Sequence, residues 1–135
     1  MIRKANSLEV SNIKKFVDTF EEMDVVTGTF SEEYYKNLII KGILIVAEED
    51  NEIIGVCFGK YNIKENWADL LGVVVDKDYQ KKGIGSNLVK EFEKIVIDKK
   101  INLIDLYADK EQNTLFTNLG YKEGRAYISF RKKLN

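Results

Sequence analysis

The stretch Val73-Val74-Val75-Asp76-Lys77-Asp78-Tyr79-Gln80-Lys81-Lys82-Gly83-Ile84-Gly85-Ser86 constrains this chain more than any other. Three consecutive β-branched residues favour a buried strand, and after Gly85 the apolar residues Leu88, Val89, Phe92, Ile95 and Val96 recur at the spacing of one helix face. A strand therefore passes through a basic, glycine-bearing turn into a helix N-terminus. The first N–H groups of such a helix lack intrahelical acceptors and stand at the positive end of the helix dipole, so the main chain itself can hold an anion. Gly83 and Gly85 allow close approach without an intervening Cβ, and Lys81 and Lys82 add full charges. Taken alone, the two glycines are equally consistent with a tight strand-to-helix connection flanked by solvated lysines.

Spacing narrows the anion. A Walker A loop ends in Gly-Lys-Ser/Thr, which occurs nowhere in the chain. The dinucleotide fingerprint requires a third glycine where Leu88 stands, and a turn that directly follows the strand, whereas several residues separate Val75 from Gly83. Nucleic acid is not an expected partner, because the 135 residues carry a net charge of only −1 and no interleaving of basic and aromatic residues. The chain contains no histidine, which removes Ser-His and Cys-His triads, histidine bases and histidine metal ligands together. The single cysteine, Cys57, forms neither an internal disulfide nor a cysteine metal cluster, and its setting between Val56 and Phe58 reads as a small buried hydrophobe. No metal is expected. No apolar stretch marks a signal peptide or membrane span, so a cytoplasmic location without membrane partners is the expectation.

The remaining pattern is mixed α/β in one domain, residues 1–135. A first strand is predicted over 2–6, followed by a helix starting between Asn6 and Glu9 with Val10, Ile13, Val17 and Phe20 on one face. Ser31 as N-cap, Glu32 and Glu33 in the first turn and Gly42 at the end bound a second helix. Strands over 43–47 and 53–58 read as a hairpin around Asp50 and Asn51, and 67–75 as the next strand. After the long helix come a strand over 103–107, a short helix over 111–118 ended by Gly120, and a final strand in which Ala126, Ile128 and Phe130 alternate.

Gln80-Lys81-Lys82-Gly83-Ile84-Gly85 resembles the Gln/Arg-x-x-Gly-x-Gly/Ala signature of the GNAT superfamily of acyl-coenzyme A-dependent N-acyltransferases, and the order of elements is similar to the GNAT core over nearly the whole chain. The resemblance implies a GNAT-like fold: a central, mostly antiparallel twisted sheet with a V-shaped splay between two parallel central strands, flanked by about four helices. It implies acetyl-CoA as acyl donor, with Gln80, Lys81, Lys82, Gly83, Ile84, Gly85 and Ser86 at the pyrophosphate and the backbones of Val73 and Val75 paired with pantetheine as with a pseudo-strand. The implied reaction is direct acetyl transfer to a primary amine of a small molecule or peptide, by a monomer or homodimer.

That chemistry needs a base, oxyanion donors and a route for the thiolate. Asp69 occupies a cofactor-strand position where some GNAT members carry a catalytic glutamate; one methylene shorter, it is expected to act through an ordered water. Many members also place a tyrosine on the last short helix, in a pattern resembling Asn-x-x-Ala-x-x-x-Tyr-x-x-x-Gly-Phe/Tyr. Anchored on Gly120-Tyr121, that pattern puts Phe116 at the tyrosine and Asp109 at the asparagine. Phenylalanine cannot protonate a thiolate, so either Tyr107 serves or the thiolate leaves unaided. Phe116 can still pack on pantetheine, and Asn113 can replace the asparagine contact or cap locally. Glu21, Glu22 and Asp24, before Thr27-Gly28-Thr29, lie in the region that borders the acceptor site in the family, and suit either a cationic amine or solvent. Phe116 and the short base also motivate an alternative: a non-catalytic acyl-CoA-binding or interaction module.

Overall fold

The structure is a computed structural model and describes residues 1–20, 29–108 and 113–134. In chain order the elements are β1 (Ile2–Lys4), a 3-10 turn (Ser7–Glu9), α1 (Val10–Val17), α2 (Glu32–Lys41), β2 (Ile43–Glu49), β3 (Glu52–Asn62), β4 (Trp67–Val75), a second 3-10 turn (Lys77–Tyr79), α3 (Ile84–Asp98), β5 (Ile104–Leu106) and α4 (Asn113–Asn118). Local chemistry sets the boundaries. Asn6 and Glu9 form a reciprocal capping box ahead of α1. Ser31 Oγ accepts the Tyr34 N–H at 3.1 Å to start α2, which ends at Gly42. Asp50 and Asn51 both adopt left-handed φ, +52° and +65°, the twist that closes the β2–β3 hairpin. Residues 111 and 112 of the expected short helix lie outside the described residues.

The five strands lie in sequence order. β1–β2, β2–β3 and β3–β4 are antiparallel, whereas β4–β5 is parallel. One sheet face packs Ile45, Cys57, Ala68 and Leu70 against Leu88, Val89 and Phe92 of α3 and Phe116 of α4. The other packs Val46, Val56 and Phe58 against Val10, Ile13 and Val17 of α1 and Tyr35 and Leu38 of α2.

One irregularity in β4 reorganises this packing. Phe58 pairs with Gly72 and Gly59 pairs with Leu70, so Leu71 is an extra residue, a β-bulge. Below it the even positions Ala68 and Leu70 face α3; above it the odd positions Val73 and Val75 do. The parity switch keeps both halves of β4 on the core while bending the strand.

The last strand expected from the sequence does not form. Residues 122–134 have no regular structure, and Ala126, Ile128 and Phe130 are exposed. Alternation makes a strand possible, but ladder partners decide whether it exists, and among the described residues β5 ends the sheet.

Gly59 sits opposite the bulge. A Cβ there would collide with the Asp69 carbonyl oxygen and lie 2.6 Å from the Phe92 ring. Gly59→Ala should therefore lower stability by about 1–3 kcal/mol or more. Urea unfolding checks this, and an unchanged midpoint would contradict the close β3–β4 approach.

Candidate active site

The site grows from the divergence of β4 and β5. Their pairing covers only Ala68–Ile104, Asp69–Asp105 and Leu70–Leu106. From Leu71 onward no strand flanks that side of β4 among the described residues. The Asp76 N–H donates to the Ile54 carbonyl at 2.7 Å, so the backbone of residue 76 turns toward β3. Alternation then turns the N–H and C=O groups of Val73 and Val75 the other way, toward the opening. Gln80 takes one of these groups, donating from Nε2 to the Val75 carbonyl at 3.0 Å. Gln80 thus ties the loop to the strand. The opening retains the Val75 N–H and both polar groups of Val73.

Above the opening stands the start of α3. The connecting loop is shaped by short-range bonds: Asp76 Oδ1 accepts the Asp78 N–H at 2.8 Å and the Asp76 carbonyl accepts the Tyr79 N–H at 2.8 Å. Lys81 and Gly83 then take left-handed φ, +65° and +84°. The first helical bond runs from the Asn87 N–H to the Gly83 carbonyl, and no side chain caps α3. The N–H groups of Ile84, Gly85 and Ser86 therefore precede the helical ladder and stand at the positive end of the dipole. A Cβ at Gly83 would meet nothing within 4 Å, and one at Gly85 would meet only Val75 Cγ2 at 3.7 Å and Leu115 Cδ2 at 3.9 Å. Neither glycine is hemmed in by backbone on the side where a side chain would stand.

The charges are arranged unevenly. Lys81 and Lys82 are both exposed. The Lys82 ammonium lies 5.3 Å from the centre of the Tyr79 ring. Carboxylates near that ring raise the Tyr79 hydroxyl above its ordinary pKa, Glu49 first, with lesser contributions from burial and from Asp50, Asp76 and Glu52. Acidic residues of the β2–β3 turn thus adjoin the lysine side of the loop.

At the other end of the opening Asp69 and Asp105 stand side by side in register, on strands about 4.8 Å apart. Leu70, Ile104 and Leu106 turn toward α3, so both carboxylates emerge on the opposite face. Asp69 is half-buried and Asp105 exposed. Tyr107, just beyond β5, is 83% exposed, with its ring edge-on to Tyr127 at 6.1 Å between centroids. The structure therefore sets Asp69 on the face of β4 opposite α3, the polar backbone groups of Val73 and Val75 at the unpaired edge, and loop residues 80–86 ahead of α3, with Tyr107 exposed just beyond β5.

Phe116 is buried in the core, edge-on to Tyr121 at 5.8 Å, while its neighbour Leu115 is the α4 side chain that approaches Gly85. Asn113 begins α4; its side chain, like Asp109, Glu21, Glu22 and Asp24, lies outside the described residues. Burial pushes the Cys57 thiol well above its ordinary pKa, which suits a core residue rather than a nucleophile. Three contributors were missed by sequence reasoning. Asp105 was legible as the polar residue between Ile104 and Leu106; Leu71 was not, because every neighbour of the bulge is apolar or glycine; Leu115 follows only from how α4 docks.

A family model described as an acetyltransferase (GNAT) domain matches residues 41–123, which contain the diverging strands and the loop. The chain belongs to the GNAT acetyltransferase family. GCN5-related N-acetyltransferase 2, chloroplastic, from Arabidopsis thaliana is 28% identical over 75 residues, a match spanning 56% of this chain and 29% of that relative's length. Among solved structures, the aminoglycoside antibiotic 6'-N-acetyltransferase AAC(6')-Ih from Acinetobacter baumannii aligns over 100% of this chain and 99% of its own, with TM-score 0.79 and 16% identity. A Mycobacterium tuberculosis protein in complex with CoA aligns over 96% and 76%, with TM-score 0.78 and 17% identity. At these identities the likeness is one of GNAT fold. No helix among the described residues is long and apolar enough to cross a membrane.

The two GNAT-loop glycines should respond differently to substitution. Gly83→Ala forces a Cβ into a left-handed residue and should destabilise the protein by about 1–2 kcal/mol. Gly85→Ala, with room for a methyl group, should be neutral or stabilising by up to about 1 kcal/mol. Urea unfolding of both variants checks the contrast; equal losses would show that packing, not φ, fixes both positions.

Proposed function

We propose that this GNAT protein is an N-acetyltransferase that moves the acetyl group of acetyl-CoA directly to a primary amine of a small molecule or peptide. The observation that carries the reading is the uncapped start of α3 standing over the open edge of β4. One surface accepts a pyrophosphate and the other an amide-bearing arm. Support comes also from similar structures: aminoglycoside N-acetyltransferase AAC(6')-Iy, 14% identical with TM-score 0.77, was solved in complex with CoA.

Acetyl-CoA supplies an acyl group already activated as a thioester. The N–H groups of Ile84, Gly85 and Ser86 hold the pyrophosphate, and Lys81 adds charge at the rim. Ser86 is half-buried in the same turn. Lys82, drawn to Tyr79, neutralises the acidic turn that would otherwise repel the coenzyme. Val73 and Val75 offer main-chain groups to the pantetheine amides, and Leu115 lines the wall opposite Gly85 in the role the sequence suggested for Phe116. Asn113, at the start of α4, stays a candidate for the same contact.

Asp69 and Asp105 attract a cationic amine to the face opposite α3, and a cation between them relieves their mutual repulsion. Asp69 takes the ammonium proton through water, leaving the nitrogen lone pair free to attack the acyl carbon. A main-chain N–H beside the bulge stabilises the charge that develops on the acyl oxygen. The C–S bond then breaks as the nitrogen gives up its second proton to water, and the sulfur leaves as thiolate, tolerable with a thiol pKa of about 8.5, or takes a proton from Tyr107, which solvent restores.

Thiol release from acetyl-CoA with a panel of amines tests the reading. Asp69→Asn should lower kcat by about 10²–10⁴-fold and leave KM for acetyl-CoA within about threefold; full activity would remove Asp69 from the mechanism. Gly85→Asp places a carboxylate among the phosphate donors and should raise the CoA dissociation constant at least about tenfold. The second reading, a non-catalytic acyl-CoA-binding module, is favoured by the burial of Phe116 where the family pattern has tyrosine. Saturable CoA binding without thiol release for any amine would select it.

A further inference from the structure

Away from the open edge of β4, a cavity of about 160 Å³ lies where the two halves of the core meet. Ile43, Ile95 and Tyr61 reach it from the α3 side, Ile39 and Leu44 from the α1–α2 side. The Ala5 N–H donates to the Leu44 carbonyl at 2.9 Å, which holds the end of β1 across one wall and brings Lys4 into the lining. Ile95 and Lys99 stand at the end of α3, so most of that 15-residue helix, roughly 20 Å, separates the cavity from the donors at Ile84, Gly85 and Ser86. The polar side chains of the lining are Lys4, Lys99 and Tyr61, each able to donate, and no carboxylate or amide is among them. Among the described residues neither ammonium belongs to an ion pair. The Lys99 ammonium rests 4.5 Å from the centre of the Tyr61 ring, which fixes its place in the wall. The last carbonyls of α3 accept from the N–H groups of Lys99, Lys100 and Ile101, so this helix end presents its lysine to the cavity.

We propose that this cavity binds a small carboxylate with a compact apolar body, of about the size of benzoate. Volume sets the size, because a cavity of this order admits a benzene ring. The donor set selects the head group. An ionised carboxylate only accepts, at two oxygens, and so matches two unpaired ammonium groups and a phenol hydroxyl. The apolar body replaces water against Ile39, Ile43 and Ile95, while the flexible stems of the two lysines let their charged ends reach the carboxylate. A cationic ligand would meet Lys4 and Lys99 with no carboxylate in the lining to hold it, and a neutral one would forgo the charge-assisted bonds. The occupant ties α2 to the far end of α3 across the end of the sheet, and by binding only the folded chain it raises native stability.

Titration of the full chain with benzoate, followed by NMR through its isoleucine methyl resonances, tests the site. Benzoate should shift Ile39, Ile43 and Ile95 along one saturating curve, with a dissociation constant below about 1 mM, and leave Ile84 at the other end of α3 unmoved. Benzyl alcohol and benzylamine, neutral and cationic molecules of similar size, should bind at least about tenfold more weakly. Lys99→Met keeps the apolar stem and should raise the benzoate dissociation constant at least about fivefold. Lys4→Met should act in the same direction, whereas Lys100→Met, outside the lining, should not. Unliganded methyl spectra of the three variants should match the wild type, which separates lost binding from lost folding. Failure of benzoate to saturate, or shifts centred on Ile84, overturns the inference. Equal affinity for benzoate and benzyl alcohol overturns it too, as does a benzoate constant that neither Lys4→Met nor Lys99→Met changes. None of these readouts involves acetyl-CoA, so they stand apart from the proposed activity.

Discussion

The parting of β4 from β5 beyond Leu70 and Leu106 is the constraint on which the rest of the site depends. A strand that loses its neighbour in the middle of a sheet leaves N–H and C=O groups that must find partners in water, side chains or ligand. Here the bulge at Leu71 makes the parting tolerable. It bends β4 and changes its side-chain parity, so Val73 and Val75 stay against the α3 core while their polar backbone groups face outward. Gln80 satisfies one of these groups and in doing so anchors the loop. The opening is thus built into the packing of the sheet.

The helix start complements it. Left-handed residues at Lys81 and Gly83 turn the chain sharply into α3, and the first turn of α3 begins with neither a capping side chain nor an acidic residue. A natural helix often satisfies its first donors with Ser, Thr, Asp or Asn, as Ser31 does for α2. Glycine at the equivalent place in α3 gives up that local stabilisation and leaves donors for an external anion. Opening and donors lie on consecutive segments of chain, which is why one short stretch of sequence carries both.

Much of this was legible from residues. The amphipathic spacing from Leu88 to Val96, the Ser31 and Gly42 helix signals, and the strand over Trp67–Val75 depend on local chemistry, and they stand as read. The loop signature located the start of α3 for the same reason. What escaped depends on tertiary partners. The bulge at Leu71 arises from register with Phe58 and Gly59, which no local pattern encodes. The Asp69–Asp105 pair requires knowing how two distant strands align. The family pattern marks Phe116 and not Leu115, whereas docking of α4 buries Phe116 and brings Leu115 toward Gly85. The final strand failed because alternation gives a segment a face to bury and does not supply the neighbour to bury it against.

The most direct measurement of the central claim is residue-resolved amide hydrogen exchange with and without saturating CoA. A coenzyme that lies along the open edge of β4 and ends at the start of α3 should slow exchange at Val73 and Val75 and at Ile84, Gly85 and Ser86 together, with little change along β2. Protection confined to the helix start would leave the strand edge without its role. Protection at neither, under conditions where CoA is bound, would place the coenzyme elsewhere and contradict the account.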